Sequence, residues 1–410
     1  MTSLLYGPVF SCGWAHLNCL YKVELLYLVL VLDRRRAINS YNAIDYLDWR
    51  GDLSFSASPF NEVDAFLCSQ IATADFTSII PEKGEITLSE AFDEYFKIHS
   101  VEDSLGVLQS QYVVGMYDKV RHTERFSSVR LRHQVNLYNK EKSEQFSALT
   151  MVIPDGSMVI GFRGTDDTII GWKEDCNLSV YETVPAQKDA LDYLSSEASF
   201  DNSSPITICG HSKGGNLSLY SAVKAEKWIR NRIVKAYSFD GPGFRPSFFQ
   251  SEGYADIQDR LSTYWSQNSL VGVLLESAGK VEIVHSRVFG TLAHDGFNWT
   301  VMGTSFQREK RLSDFSLLFE KLTGSFVENA TEEEKISLFT ELFDALQSSG
   351  CTTLTELTRM NIKDTIKFLH SLNGSRKVKE FIKAMVKALG EEGARKIGLI
   401  GTRDGQEGKN

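Results

Sequence analysis

The chain carries its chemistry most visibly in the run ITICGHSKGGN (206–216), where Gly210, Ser212 and Gly214 make a G-x-S-x-G pattern. A serine hydroxyl is a weak nucleophile until a neighbouring base takes its proton, so the pattern matters only if a histidine and a carboxylate can join it. With 30 Gly in 410 residues, chance alone flanks a given serine this way about 0.5% of the time, and the letters by themselves decide little. Their setting decides more. A β-type run leads in and a helical pattern leads out, which is the strand–turn–helix context of a nucleophile elbow. The glycines permit a sharp turn that presents Ser212 Oγ at the C-terminal edge of a sheet, and the helix N-terminus beneath favours developing negative charge. A glycine-rich turn carrying an inert serine is the competing reading.

In this topology the acid and then the histidine come after the serine along the chain. Five of the eight histidines lie at or before position 211, leaving His285, His294 and His370. His285 falls inside the strand-like VEIVHS, and His370 follows an apolar pair, Phe368-Leu369, in a helical pattern. His294 lies in LAHDGFNW (292–299), a loop after the last strand, where catalytic groups can converge. It is the expected general base, with a purely structural loop histidine as the alternative. Seven carboxylates separate Ser212 from His294: Glu226, Asp240, Glu252, Asp256, Asp259, Glu276 and Glu282. Asp240 directly follows the well-marked strand IVKAYSF and opens Gly241-Pro242-Gly243, so it is the expected triad acid, against a turn-capping role; Glu276 ranks second. An oxyanion hole needs backbone N–H donors. The expected pair is Lys213 N–H, just after the nucleophile, and Thr165 N–H in FRGTDD (162–167), with the Thr165 hydroxyl as a further donor. Arg163 is expected to buttress that loop through Asp166 or Asp167 rather than to touch substrate.

These residues need a scaffold. QFSALTMVI and SMVIGF, joined by Pro154-Asp155-Gly156, read as a β-hairpin. A helical stretch (187–198), a short strand (206–209), a helix (216–229) and a strand (233–239) come next, and this alternation predicts an α/β fold with a mainly parallel sheet. Upstream, Pro59 and Asn61 precede a run with apolar Val63, Phe66, Leu67 and Ile71, a capped helix start, and helical pattern continues with breaks to about residue 119. The last hundred residues carry three helical patterns. Thr331 with Glu334 and Thr353 with Glu356 have capping-box spacing. The third helix aligns Val378, Phe381, Ile382, Met385, Val386 and Leu389 beside Arg376, Lys377, Lys379, Lys383 and Lys387, a basic amphipathic face able to meet an anionic membrane surface or a partner. A small helical bundle packed on the main domain is the plainer reading of this region.

Composition narrows the function classes. The net charge of −9 offers no general attraction to phosphate backbones, so no nucleic-acid partner is expected. Six cysteines at 12, 19, 68, 176, 209 and 351 form no C-x-x-C pair and no paired metal spacing, which is read as reduced thiols in a cytoplasmic protein needing no cofactor or metal. The run LLYLVLVL (25–32) is too short to span a bilayer, and its positive charges come after it rather than before, so it is read neither as a membrane span nor as a signal peptide.

Taken together, FRGTDDTIIGW (162–172), GHSKGGN (210–216) and HDGFNW (294–299) resemble the class 3 lipases, the last being similar to that family's His-x4-Trp ending. The resemblance covers roughly residues 140–305. YLDWRGDLSFSASPFNEVDA (46–65), with RGTDD and SFDGPGF, also looks like an uncharacterised bacterial branch of lipase-like proteins, extending the match to about residue 41. It implies an α/β-hydrolase fold, with Ser212 as nucleophile, Thr165 as oxyanion residue and His294 as base. There is one departure. Class 3 lipases carry their acid in a later D-x-V-P segment, and NSLVG (268–272) holds no carboxylate there; pancreatic-type lipases of vertebrates place it just after the preceding strand, as SFDGPGF would. The expected organisation is an N-terminal segment of uncertain status (1–40), an α/β-hydrolase domain (41–305), a C-terminal helical region (306–400) and a tail (401–410). The expected activity is cleavage of carboxylic esters, lipid or otherwise apolar, through an acyl-enzyme. IIGW (169–172) and LVGVLL (270–275) are candidates for a lid and an acyl groove, or equally for core. The other reading is an inactive hydrolase-fold scaffold that binds a membrane or a partner.

Overall fold

A computed structural model describes residues 41–348 except 107, 108 and 167, together with 353 and 356. The segments 1–40 and 401–410 and the basic helical pattern at 376–389 lie outside the described residues.

The described residues open with four helices, α1 (Ala43–Arg50), α2 (Glu62–Ile71), α3 (Leu88–Tyr95) and α4 (Val113–Val120). Asn61 starts α2: its side chain accepts from Val63 N and Asp64 N, and the Asp64 carboxylate accepts the Asn61 N–H in return. Asp64 is also one half of a fully buried ion pair with Arg125, whose guanidinium further donates to the carbonyls of Leu53, Ser58 and Pro59 and so ties the segment before α2 to the domain.

Eight strands lie side by side in chain order: β1 (Ile86–Thr87), β2 (Arg130–Asn139), β3 (Glu144–Val152), β4 (Met158–Phe162), β5 (Ile206–His211), β6 (Ile233–Phe239), β7 (Leu261–Ser266) and β8 (Lys280–Val284). Pairing is antiparallel from β1 to β4 and parallel from β4 to β8. Parallel neighbours need crossovers; α5 (Ile169–Asn177) and α6 (Pro185–Phe200) supply one, and α7 (Lys213–Lys224) leads the next. The protein is therefore α/β with a mostly parallel sheet. Successive residues face opposite sides. Val159 and Cys209 join one core with Phe66, Leu67 and Trp299, while Ile160 and Ile208 join another with Leu194, Leu217 and Leu219. Coverage on both faces explains why the central strands read as unbroken apolar runs.

Three features depart from the sequence reading. Strand β2 is absent from it because a bulge breaks its alternation: the register slips between Arg132 and Val135, and His133 takes φ of +48°. Strand β7 is absent because its buried Ser262, Thr263 and Ser266 hide the apolar signal; Thr263 satisfies itself by donating to Ala278 O at 2.8 Å. The helix leaving the elbow begins at Lys213, not 216, and ends at Lys224, with a separate short turn, Lys227–Arg230, after it.

After β8 come two 3₁₀ turns and a hairpin, β9 (Val301–Met302) with β10 (Ser305–Phe306). The chain then returns along the outer edge of β8. His285 N donates to Gln307 O (2.9 Å) and Glu309 N to Ile283 O (2.8 Å), and further on Ser313 N donates to Gln267 O (2.8 Å), just past β7. Positions 305 and 306 thus belong to a separate two-stranded hairpin, and the residues just after them run beside β8 before α8 (Asp314–Asn329) and α9 (Glu332–Ser348). The Thr331/Glu334 and Thr353/Glu356 boxes are both formed. Phe343 of α9 meets Trp172 of α5 edge-on at 6.3 Å. No helix among the described residues is long and apolar enough to cross a membrane.

Candidate active site

Ser212 occupies the single residue between β5 and α7, with φ of +57° and ψ of −130°. A non-glycine residue held at positive φ is strained and persists only where its surroundings fix it. Here Ser212 N donates to Phe239 O at 2.9 Å, pinning the turn to β6. The flanking glycines are required by contact rather than by conformation. A Cβ on Gly210 would sit 2.1 Å from Gly214 O, and one on Gly214 would sit 2.2 Å from Phe162 O. Asn216 secures the far side: its Nδ2 donates to Pro242 O (3.1 Å) and Gly243 O (2.9 Å), while its Oδ1 accepts from Gln187 (2.8 Å).

Asp240 is the first residue after β6, also at positive φ (+50°) and fully buried. Its Oδ2 lies 2.7 Å from His294 Nδ1. A carboxylate only accepts, so Nδ1 carries the proton and Nε2 is left as the free nitrogen. Asp240 Oδ1 receives a longer bond from Ser266 N, 3.4 Å. Glu276 stands apart, exposed, with its backbone bridged to Phe244. His285 bonds Thr300 Oγ1 at 2.8 Å, and His370 lies outside the described residues.

His294 ends a 3₁₀ turn, Gly290–His294, with its side chain 21% exposed. The loop is held at three points. Trp299 Nε1 donates to Ala293 O (2.9 Å), which gives the His-x4-Trp spacing a physical reason. Asp295 caps the next turn through Phe297 N (3.0 Å). His211 Nε2 donates to His294 O (2.8 Å), with the two rings 4.6 Å apart. Burial, and then the neighbouring His294, push His211 down to about 3, so its ring stays neutral and serves as a donor. Sequence reasoning leaves His211 out with the early histidines; its place inside the serine motif is the signal that could have found it.

The loop after β4 passes directly against Ser212. A Cβ on Gly164 would lie 2.7 Å from His211 O and 3.2 Å from Ser212 Cβ. Neither Thr165 N–H nor Lys213 N–H has an acceptor among the described residues. The Thr165 hydroxyl is engaged elsewhere than expected, donating to Asp175 Oδ2 at 2.5 Å. Asp175 is raised to about 6 by burial, against the pull of Lys213 and the Thr165 bond, and its Oδ1 is buried with no hydrogen-bond partner among the described residues. The Lys213 side chain is fully buried, donating to Gln145 O (2.7 Å), Gln145 Oε1 (2.8 Å) and Glu174 Oε2 (3.0 Å). Adjacent carboxylates of α5 thus hold Lys213 and Thr165 through their side chains. Arg163 donates to Asn136 Oδ1 (3.0 Å) and lies 3.8 Å from Asp166; Asp167 lies outside the described residues.

The structure therefore gathers Ser212, His294, Asp240, Thr165 and Lys213 at the C-terminal ends of β4 to β6, a geometry suited to activating a hydroxyl and receiving an oxyanion. The crystal structure of M37 lipase is similar at 16% identity over 46% of this chain and 69% of its own, with a TM-score of 0.31. No curated protein matches the chain. Residues 120–344, more than half of the chain, match the Mbeg1-like family, and the chain belongs to that family.

Proposed function

We propose that this chain is a serine hydrolase of the α/β-hydrolase type that cleaves carboxylic esters through an acyl-enzyme. The observation that carries the reading is the 2.7 Å bond between His294 Nδ1 and the fully buried Asp240, next to a serine held at a strained strand-to-helix turn. In this mechanism Ser212 Oγ attacks the ester carbonyl and His294 Nε2 takes its proton. The oxyanion that forms is met by the N–H groups of Lys213 and Thr165, and His294 then returns the proton to the departing alcohol. Water activated by the same ring releases the acid. No hydrogen bond joins Ser212 to His294 among the described residues; such contacts commonly tighten only when substrate binds.

The proposed substrates are lipid or other apolar esters. Trp172, 38% exposed, comes after the buried Ile169 and Ile170 on the helix leaving the oxyanion loop, and residues 270–275 lie beyond Asp240, so these two segments are the proposed lid and acyl groove. Buried free thiols at Cys68 and Cys209 fit a reducing, cytoplasmic setting.

A fluorophosphonate probe on the purified full chain tests the reading. Labelling of wild type that vanishes in Ser212→Ala is the expected result. Folded wild-type protein that takes no label would replace it with an inactive scaffold. If long-chain esters are turned over no faster than short ones, and vesicles bring no gain, the lipid refinement falls and a small-ester hydrolase remains.

A further inference from the structure

Residues 109–112, just before α4, reach from one wall of the site to the other. Gln109 Nε2 donates to Thr165 O at 3.0 Å. Ser110 Oγ donates to Asp295 Oδ2 at 2.7 Å. The Tyr112 ring lies 6.3 Å from Phe297. One bond therefore grips Thr165, a proposed oxyanion donor, and the other grips the residue after His294.

The sheet alone does not set the distance between these two loops. One leaves β4 and the other comes after β8, four strand positions away in the sheet, about 19 Å at roughly 4.8 Å per strand. Both must bend toward Ser212 at the end of β5. Among the described residues, 109–112 tie them together directly. The Asp295 end of the tie is well anchored. Asp295 is half-buried, and its other oxygen accepts from Phe297 N (3.0 Å), so the Ser110 hydroxyl adds a donor from outside the histidine loop to a partly desolvated carboxylate.

We infer that Gln109 and Ser110 are positioning residues that set the span between the oxyanion donors and His294. The inference rests on the hydrolase reading above, because it assigns the strap a role in that site. It concerns alignment and not substrate contact.

The test combines kinetics with a readout that needs no turnover. In Ser110→Ala, kcat for p-nitrophenyl butyrate should fall by about ten- to a hundred-fold with KM changed less than about twofold, the scale expected of a misplacement of roughly 1 Å. Ser110→Thr, which keeps the hydroxyl, should stay near wild type, and Gln109→Ala should lower kcat in the same direction. In protein labelled with ¹⁵N-histidine, the downfield proton of His294 Nδ1–H should move or broaden in Ser110→Ala and return in Ser110→Thr. Unchanged kcat in both Ser110→Ala and Gln109→Ala with an unchanged resonance overturns the inference, while phosphonate labelling of Ser212 would leave the hydrolase reading standing. Wild type that takes no phosphonate removes the hydrolase reading, and the resonance alone then decides whether the strap positions the ring. A Ser110→Ala chain that fails to fold passes the decision to Gln109→Ala, which leaves the Asp295 bond intact.

Discussion

Replacing Asp240 by Asn exchanges one oxygen for one nitrogen at a fully buried site, and the hydrogen-bond geometry there dictates the outcome. The side chain sits between two donors, His294 Nδ1–H at 2.7 Å and Ser266 N–H at 3.4 Å. An amide has only one acceptor end, so one donor must face another. If the amide nitrogen faces His294, the ring is driven to the tautomer with its proton on Nε2 and cannot take the proton that the proposed mechanism moves from Ser212. If it faces Ser266, the tautomer survives but the imidazolium formed during attack has lost its carboxylate. Either arrangement removes an interaction made chiefly in the transition state, so kcat should fall while KM stays close to wild type. The expected loss is about 10³- to 10⁴-fold, or about 4–5.5 kcal/mol of barrier. Burst kinetics with an activated ester, alongside a rate of fluorophosphonate labelling depressed to a similar extent, would measure it. Asp240→Asn within tenfold of wild type, or an equal loss in Glu276→Gln, would refute the reasoning.

Asp175 is raised to about 6 from an ordinary value of 3.8, so between these pH values the folded state holds more protons than the unfolded one and stability falls as pH rises. Asp175→Asn, which keeps an acceptor for Thr165, should flatten that slope and stabilise the protein at pH 7 to 8 by at most about 3 kcal/mol, read from urea midpoints across pH; an unchanged slope would exclude Asp175 as its source. In Gly214→Ala the new methyl meets the Phe162 carbonyl at 2.2 Å, a backbone contact that cannot swing aside, and the expected cost is about 1–3 kcal/mol or more. Gly115→Ala in α4, with nothing within 4 Å, should instead be neutral or slightly stabilising, and equal urea midpoints for the two variants would contradict the close approach.

The elbow, the histidine loop and the strand before Asp240 were legible because each is a local signal: a glycine spacing, a strand ending in a turn, a histidine placed after the last strand. The parallel half of the sheet was legible for a related reason, since strands covered on both faces leave plain apolar runs. What escaped was non-local or masked. The bulge at His133 hid β2, and the buried hydroxyls of β7 hid its pattern. Gln109, Ser110, Glu174 and Asp175 carry no motif, and their meaning comes from partners tens or hundreds of residues away. The Thr165 hydroxyl was expected to point toward substrate, and only the folded position of Asp175 gives it another acceptor. The same limit applied to the expected acid: chain order allows both Asp240 and Glu276, and only the fold puts Asp240, not Glu276, beside the His294 ring.

The return of residues 307–309 beside β8 has a consequence for how the chain meets other copies of itself. An outermost strand presents a row of unpaired backbone groups that can recruit another chain, and here Gln307 and Glu309 occupy part of that row through bonds to His285 and Ile283. The connection into the C-terminal helices therefore also acts as a selvedge for the sheet. Without residues 307 and 309 the outer side of β8 would be a raw border, open to pairing with another copy.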